Sequence, residues 1–289
     1  MKETGEPMAQ AETVIFTDLD GTLLDGNYRC DPAQPLLQRL RELGIPVVFA
    51  SSKTRAEVER LRRDLGNRDP YIVENGAAIL IPEGLLGEEP ARAGCVRSRG
   101  VWQYAPARQR TEILTVLGRL RQEHGFRFRA FHDLDPGRLA AITGLDPEAA
   151  ALALRRQASE PLEWKDSPAR LDRFRELLRQ EGLELVRGGR FLHVQDPACD
   201  KGRAMLWLLG LYARHRGAAV RSIALGDSEN DRQMLELADV AVVVPGAAGE
   251  RLSLQRREGV VVAPAPGPAG WARALSRLLG LDRQASHRP

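Results

Sequence analysis

The chain has 289 residues, a formal net charge of +3 and 43% hydrophobic residues, which is globular composition and excludes an intrinsically disordered chain. At roughly 150 residues per domain it has room for one large domain or two modest ones. No run approaches the roughly 20 apolar residues that cross a bilayer, and Met1 to Thr13 lacks the apolar segment of a signal peptide; the expectation is a cytoplasmic protein with no membrane partner.

From Thr13 the chain alternates short apolar runs with helical periodicity: a strand at Thr13 to Thr17, a helix carrying Leu36, Leu37, Leu40 and Leu43, a strand at Ile45 to Ala50, and a helix carrying Val58, Leu61 and Leu65. That alternation predicts βαβ units around a parallel sheet. Asp31-Pro32 can open the first helix and Gly44 can close it, while Thr54 to Glu57 reads as a capping box for the second. Strands are expected at Tyr71 to Val73 and Ala77 to Ile81.

Between Pro82 and Pro197 the rhythm changes. Helices are expected at Thr111 to Glu123, Pro147 to Gln157 and Pro168 to Gln180, and shorter, more polar strands at Phe126 to Phe131, Leu162 to Trp164, Leu183 to Arg187 and Phe191 to Gln195. These fit a small open sheet with one covered face. The first rhythm then returns, with a helix from Gly202, strands at Ser222 to Leu225, Val240 to Val244 and Val260 to Val262, a helix from Asn230 and another at Pro268 to Leu279. The expected architecture is α/β, a parallel-sheet Rossmann-like core formed by residues 11–82 and 198–281, interrupted by a smaller inserted α/β cap over 83–197.

The candidate site residues stand at the carboxyl ends of core strands, where open α/β sheets bind ligands. The first strand runs into Asp18-Leu19-Asp20-Gly21-Thr22. Period-2 alternation turns Asp18 and Asp20 to one side, and two carboxylates held that close call for a cation. The second strand ends in Ser51-Ser52-Lys53-Thr54, offering hydroxyls and a helix start that favours an anion. Asp200-Lys201-Gly202 precedes a helix, and the strand at Ser222 ends in Gly226-Asp227-Ser228-Glu229-Asn230-Asp231. Only four of the 42 basic residues are lysine, and Lys53 and Lys201 both fall in these signals. The arginines interleave with Glu and Asp along helical stretches, which argues for solvated faces and against a nucleic-acid partner. Cys30, Cys95 and Cys199 lie far apart with no pairing that could grip zinc.

Taken in order, the Asp-x-Asp-Gly-Thr, Ser, Lys and Gly-Asp-x-x-x-Asp signals resemble the haloacid dehalogenase-like hydrolases over Val14 to Leu279. The resemblance implies that Asp18 attacks a phosphoryl group and that Asp20 protonates the leaving alcohol and then activates water. It also implies Mg²⁺ held by Asp18, the backbone carbonyl of Asp20 and Asp227, with Ser51 and Lys201 on the phosphoryl oxygens. Asp231 would orient Lys201 or a metal-bound water, and Asn230 would contact phosphate or a metal-bound water.

A finer resemblance links Ile72 to Ala77, Arg155 to Pro161, Gly188 to His193, Ser51 to Thr54 and Pro264 to Pro268 with the mannosyl-3-phosphoglycerate phosphatase family. It implies a small phosphorylated sugar as substrate, a hexose joined to a phosphoglycerate. Arg190 and the Gly188-Gly189 turn would hold the glycerate carboxylate, and Ser159, Glu160 and His193 would bond hydroxyls. Ser52, Lys53, Glu74, Asn75, Arg156 and Gly189 complete the expected substrate contacts. A glucosyl substrate or other sugar phosphate, a phosphomutase on the same core, or a non-catalytic sugar-phosphate-binding regulator are the alternatives, and oligomeric state is left open. A cap over the cleft also implies hinges, expected near Pro82 and Pro197.

Overall fold

A computed structural model of the chain describes residues 12–187 and 191–284. Its strands are β1 (Glu12–Thr17), β2 (Val47–Ala50), β3 (Tyr71–Val73), β4 (Ala78–Pro82), β5 (Val96–Ser98), β6 (Val101–Tyr104), β7 (Phe128–Ala130), β8 (Ser159–Trp164), β9 (Glu184–Arg187), β10 (Leu192–Gln195), β11 (Val220–Gly226), β12 (Val240–Val243) and β13 (Val260–Val262). Its α-helices are α1 (Gln34–Glu42), α2 (Arg55–Asp64), α3 (Glu89–Arg92), α4 (Arg110–His124), α5 (Pro136–Thr143), α6 (Pro147–Ala153), α7 (Pro168–Gln180), α8 (Lys201–Arg216), α9 (Arg232–Leu237) and α10 (Gly267–Leu278).

These strands form a nine-stranded sheet, ordered β13-β12-β11-β1-β2-β3-β4-β6-β5, and a four-stranded sheet, ordered β7-β8-β10-β9. From β13 to β3 the larger sheet is parallel; β4, β6 and β5 add antiparallel strands at one edge. The parallel part follows from β1, whose Val14, Ile15 and Phe16 are all buried because helices cover both faces. Ile15 packs with Leu36, Leu40 and Trp271 on one side, while Val14 and Phe16 pack with Met205, Leu208 and Leu235 on the other. Burying each such side chain contributes about 1.5–3 kcal/mol. The chain therefore forms the α/β core expected from its alternation.

The capping box is present: Thr54 Oγ1 accepts from Glu57 N–H at 3.2 Å, and Glu57 Oε2 accepts from Thr54 N–H at 2.8 Å. This fixes where α2 starts, directly behind the Ser51 to Lys53 loop. At the start of α8 the Asp200 carboxylate accepts from Arg203 N–H at 2.7 Å, so the cap places Lys201 in the first turn.

Three features differ from the sequence expectation. The cap expected over 83–197 begins too early, because β6 is hydrogen-bonded to β4 and β5 to β6, so both extend the core sheet. The chain passes from the larger to the smaller sheet between β6 and α4 and returns between β10 and α8, so the first crossing lies well beyond Pro82. The helix expected over Pro147 to Gln157 stops at Ala153. Beyond it, the N–H groups of Gln157 and Ala158 turn to the Glu74 carboxylate, at 2.8 and 3.2 Å, in place of helical carbonyls. Helix α5, set up by its N-cap Asp135 and ended by Gly144 at φ 78°, was not anticipated.

In the smaller sheet Leu162 and Val194 pack against Leu117 of α4 and Phe174 of α7. Alternation then turns Pro161 and its cross-strand partner His193 to the opposite face. That face looks onto the ends of the core strands.

Candidate active site

The order of the parallel strands reverses direction between β1 and β11, and this switch point is where open α/β sheets place ligands. Asp18 leaves the end of β1 and Asp227 the end of β11, side by side, with Asp18 N–H donating to the Leu225 carbonyl at 2.9 Å. Lys201 reaches in from α8. Its Nζ donates to Asp18 Oδ1 at 2.6 Å and to Asp231 Oδ1 at 2.7 Å.

Asp18, Lys201 and Asp231 are buried and Asp227 is half-buried, and burial governs their proton affinity. Asp18 is held well above the usual carboxylate range by burial and then by the Asp231 charge, only partly offset by Lys201. Asp227 is pushed up to about 7, again by burial first and Asp231 second. Burial alone would weaken the hold of Lys201 on its proton, but Asp18 and Asp231 outweigh it and the ammonium is held firmly charged. The cluster thus has three carboxylates and one cation.

Local backbone geometry makes the cluster possible. Gly21 sits at φ +84°, and a Cβ there would lie 2.5 Å from Asp227 Oδ2. Only glycine admits the Asp227 carboxylate against the first loop. Thr22, the last residue of the Asp-x-Asp-Gly-Thr run, is buried and donates from Oγ1 to Asp227 Oδ1 at 3.1 Å. It was not among the expected site residues, although its place in that run was the available signal. Asp231 Oδ2 accepts from the N–H groups of Asp227 and Ser228, both at 3.1 Å. With Lys201 on its other oxygen, Asp231 is saturated by the protein and holds the Asp227 loop.

Ligand oxygens of Asp18, Asp227 and Asp231 lie within 4.8 Å of one another. All are hard carboxylate donors of the kind Mg²⁺ takes, and the surplus of two negative charges over Lys201 is what a divalent ion would neutralise. The donor set therefore fits such an ion, with Asp18 and Asp227 as the carboxylates that retain free capacity.

At the end of β2, Ser51 is buried, its N–H donates to the Ile72 carbonyl, and its Oγ accepts from Lys53 N–H at 3.1 Å. Ser52 presents its carbonyl to Arg156 Nη2 at 2.6 Å. Lys53 Nζ pairs with Asp20 Oδ2 at 2.9 Å and lies 4.7 Å from the centre of the Tyr28 ring. Burial opposes its charge, but Asp20 and Glu57 prevail and raise its pKa. Asp20 is 45% exposed, more open to the cleft than Asp18.

The cap and junction residues divide into two groups. Asn75 donates to Gln195 Oε1 at 2.9 Å and accepts from Asn230 Nδ2 at 3.2 Å, linking three strand ends. Glu74 spends its carboxylate on Gln157 N–H, Ala158 N–H and Ser159 Oγ, the last at 2.6 Å. Arg156 Nε donates to Ser159 Oγ at 3.0 Å. Glu74 and Ser159 are thus occupied in joining cap to core. Glu160 corrects the expectation that it bonds a sugar hydroxyl. Strand alternation turns it to the helix-covered face, where its oxygens accept from Arg110 Nε at 2.6 Å and His132 N–H at 2.7 Å. Gly189 and Arg190 lie outside the described residues.

The cleft between cap and strand ends has a volume of about 420 Å³ and is lined by Asp18, Asp20, Ser52, Lys53, Arg156, His193, Asp227 and Asn230. Its apolar wall includes Pro161, Phe131 and Phe191, the two rings meeting edge to face at 4.9 Å. Sequence reading missed this wall because an apolar residue in a short strand reads as core. His193 Nδ1 is buried with no partner among the described residues, and burial, then Arg156 and Lys201, push its pKa down to about 3. A larger cavity of about 760 Å³ opens at the other end of the sheet, around Pro46, Asp69 and Tyr212. It lacks the carboxylate cluster and stands away from the strand ends that carry the chemistry.

Residues 15–86 match the family described as haloacid dehalogenase-like hydrolase, and residues 159–276 match sucrose-6F-phosphate phosphohydrolase. The matches over these two segments support the haloacid dehalogenase-like hydrolase superfamily. Among solved structures, its fold is similar to a haloacid dehalogenase-like hydrolase from Bacteroides thetaiotaomicron, at 18% identity and TM-score 0.61, with 92% of this chain and 99% of that one covered. It is similar to the sucrose-phosphatase of Synechocystis, solved with sucrose and phosphate, at 14% identity and TM-score 0.57, covering 93% and 98%. A subclass IIB sugar phosphatase of the same superfamily matches at 17% identity and TM-score 0.58, covering 92% and 98%. At these identities the structures speak for the fold. Among the described residues, no helix is long and apolar enough to cross a membrane.

Proposed function

We propose that the chain is a metal-dependent phosphatase acting on a glycosyl-3-phosphoglycerate, with mannosyl-3-phosphoglycerate the foremost candidate. The observation that carries the phosphatase reading is the Lys201 ammonium lodged between Asp18 and Asp231 beside Asp227 at the switch point. Lys201 occupies Asp18 Oδ1 and leaves Oδ2 as the attacking atom. In the first step Asp18 bonds to phosphorus, the bond from phosphorus to the glycerate ester oxygen breaks, and Asp20 gives that oxygen a proton. In the second step Asp20 takes a proton from water, the water oxygen bonds to phosphorus, and phosphate leaves with Asp18 regenerated.

Magnesium held by Asp18, Asp227 and the Asp20 carbonyl would supply the charge that draws phosphoryl oxygens and Asp18 together. Lys201 and Lys53 supply fixed positive charge on either side of the reacting group, where oxygens gather charge in the transition state. Asp231 acts through Lys201 and the Asp227 loop.

The substrate reading rests on the cleft's mixture of groups. Lys53 and Arg156 offer cations for a glycerate carboxylate, neutral His193 can bond a hydroxyl, and Phe131, Phe191 and Pro161 offer an apolar wall for a hexose face. The sucrose-phosphatase match supports a phosphorylated sugar in general terms. The test is phosphate release with Mg²⁺ from mannosyl-3-phosphoglycerate, glucosyl-3-phosphoglycerate, 3-phosphoglycerate, mannose 6-phosphate and sucrose 6-phosphate. Preference for a glycosyl-3-phosphoglycerate by orders of magnitude is expected. A flat profile, or preference for another ester, overturns the substrate assignment.

A further inference from the structure

On the side of the cap junction away from the catalytic cleft, a groove of about 770 Å³ is lined by Arg55, Arg99, Arg110, Arg155 and Arg156, with Glu59 the one carboxylate among the described lining residues. Glu59 is already committed: its Oε1 accepts from Arg55 Nε at 2.7 Å and from the Tyr71 hydroxyl at 2.8 Å. Arg110 gives Nε to Glu160 and Nη1 to the Leu154 carbonyl, but its Nη2 is buried with no partner among the described residues. A buried guanidinium nitrogen without an acceptor is costly and marks a missing one. Arg99 and Arg155 are exposed, and neither has an acidic partner among the described residues. Arg99 stands at the tip of the β5–β6 hairpin at φ 52°, a conformation an arginine seldom adopts.

We propose that this groove binds a small polyanion, a molecule with two or more phosphoryl or carboxylate groups, and that its occupancy is felt in the catalytic cleft. The charges divide between the two parts of the molecule. Arg55 and Arg99 belong to the core, and Arg110, Arg155 and Arg156 to the cap side of the junction. A ligand with anionic groups at two ends spans them, whereas a single monovalent anion satisfies only one side. Arg156 is the link to the chemistry, because it lines both the groove and the cleft and holds the Ser52 carbonyl. An anion drawing on Arg156 from behind competes with its hold on the phosphate-side loop, which gives the two sites a physical means of coupling.

The test is calorimetric titration of the metal-free full chain with pyrophosphate, a readout independent of any phosphatase activity. Arg99→Asn keeps the left-handed turn, since asparagine tolerates it, and Arg155→Gln alters an exposed side chain. The expected result is saturable binding to the wild-type chain that weakens at least tenfold in Arg99→Asn/Arg155→Gln, and measurably in Arg155→Gln alone, with melting temperatures unchanged. Pyrophosphate held in the catalytic cleft would survive both substitutions. Identical affinity and stoichiometry in all three proteins, or no binding by the wild type, overturns the proposal.

Discussion

Two carboxylate-rich regions lie close together in this molecule, and they are satisfied in opposite ways. At the junction, Glu74 accepts three hydrogen bonds from cap residues 157–159 and Glu160 accepts two more within the cap. At the strand ends Asp18 is buried and Asp227 half-buried, yet Asp18 shares one lysine with Asp231 and Asp227 has only the Thr22 hydroxyl from a side chain. The first arrangement leaves nothing over for a ligand. The second leaves surplus negative charge and raised proton affinity, the condition expected where a cation and a phosphoryl group are to be received. Residue type alone does not separate the two; the count of partners does.

The sharpest way to break this contrast is to neutralise one acid in each region. Asp18→Asn removes the nucleophile with little change in volume, and phosphate release should fall by roughly four orders of magnitude or more. Its melting temperature should stay level or rise, because a buried carboxylate with raised proton affinity burdens the fold. Appreciable turnover by the variant, with the fold intact by circular dichroism, sinks the assignment of Asp18.

Metal dependence sharpens the same point. Chelation should abolish turnover, and Mg²⁺ at about 100 times its dissociation constant should stabilise the chain by roughly 2.7 kcal/mol. Asp227→Asn should lose most of that stabilisation. A thermal shift of equal size in both proteins would remove Asp227 from the metal site.

Glu74→Gln is the counterpart at the junction. An amide can accept at one oxygen but sets an NH₂ against donors that have lost their acceptor, at a cost of about 1–3 kcal/mol. The expected outcome is a clear drop in melting temperature with faster proteolysis between β6 and α4, while hydrolysis of a small aryl phosphate falls far less than in Asp18→Asn. Loss of aryl phosphatase activity comparable to Asp18→Asn, with stability unchanged, would place Glu74 among the reacting groups.

The core was largely legible because its signals are local. The apolar run of β1, the Thr54 capping box and the glycine at position 21 each announce their geometry within a few residues. Asp18, Lys201 and Asp227 were found because each follows a strand or opens a helix. What was hidden depends on partners distant in sequence. Glu160 follows Ser159 in the chain, and only the pairing of β8 with β10 tells which of the two faces the junction and which the helices. The end of α6 was overrun because the sequence does not show that Glu74 captures the next N–H groups. The cap boundary was set too early because β5 and β6 are short, and the addition of β6 to β4 and of β5 to β6 is set by the sheet edge, not by local propensity.

The smallest effect concerns His193, the titratable group that belongs to neither pattern: it is buried in the cleft, yet its Nδ1 is unpartnered. Its pKa lies at about 3 in the folded chain, depressed by burial and by the charges of Arg156 and Lys201, against about 6.5 when unfolded. Between these values the unfolded chain binds the extra proton, so stability falls as pH drops from about 6.5 toward 3, by up to tenfold in the unfolding equilibrium per pH unit. Urea melts at pH 7, 6 and 5 should show His193→Gln losing stability less steeply than the wild type; parallel curves would mean that His193 is not the buried neutral group described. Neutrality is also what suits it to a sugar, since an imidazole with one donor and one acceptor can bond a hydroxyl without demanding a charge. The same substitution should therefore raise KM for the glycosyl substrate several-fold at pH 7 while leaving an aryl phosphate nearly unaffected.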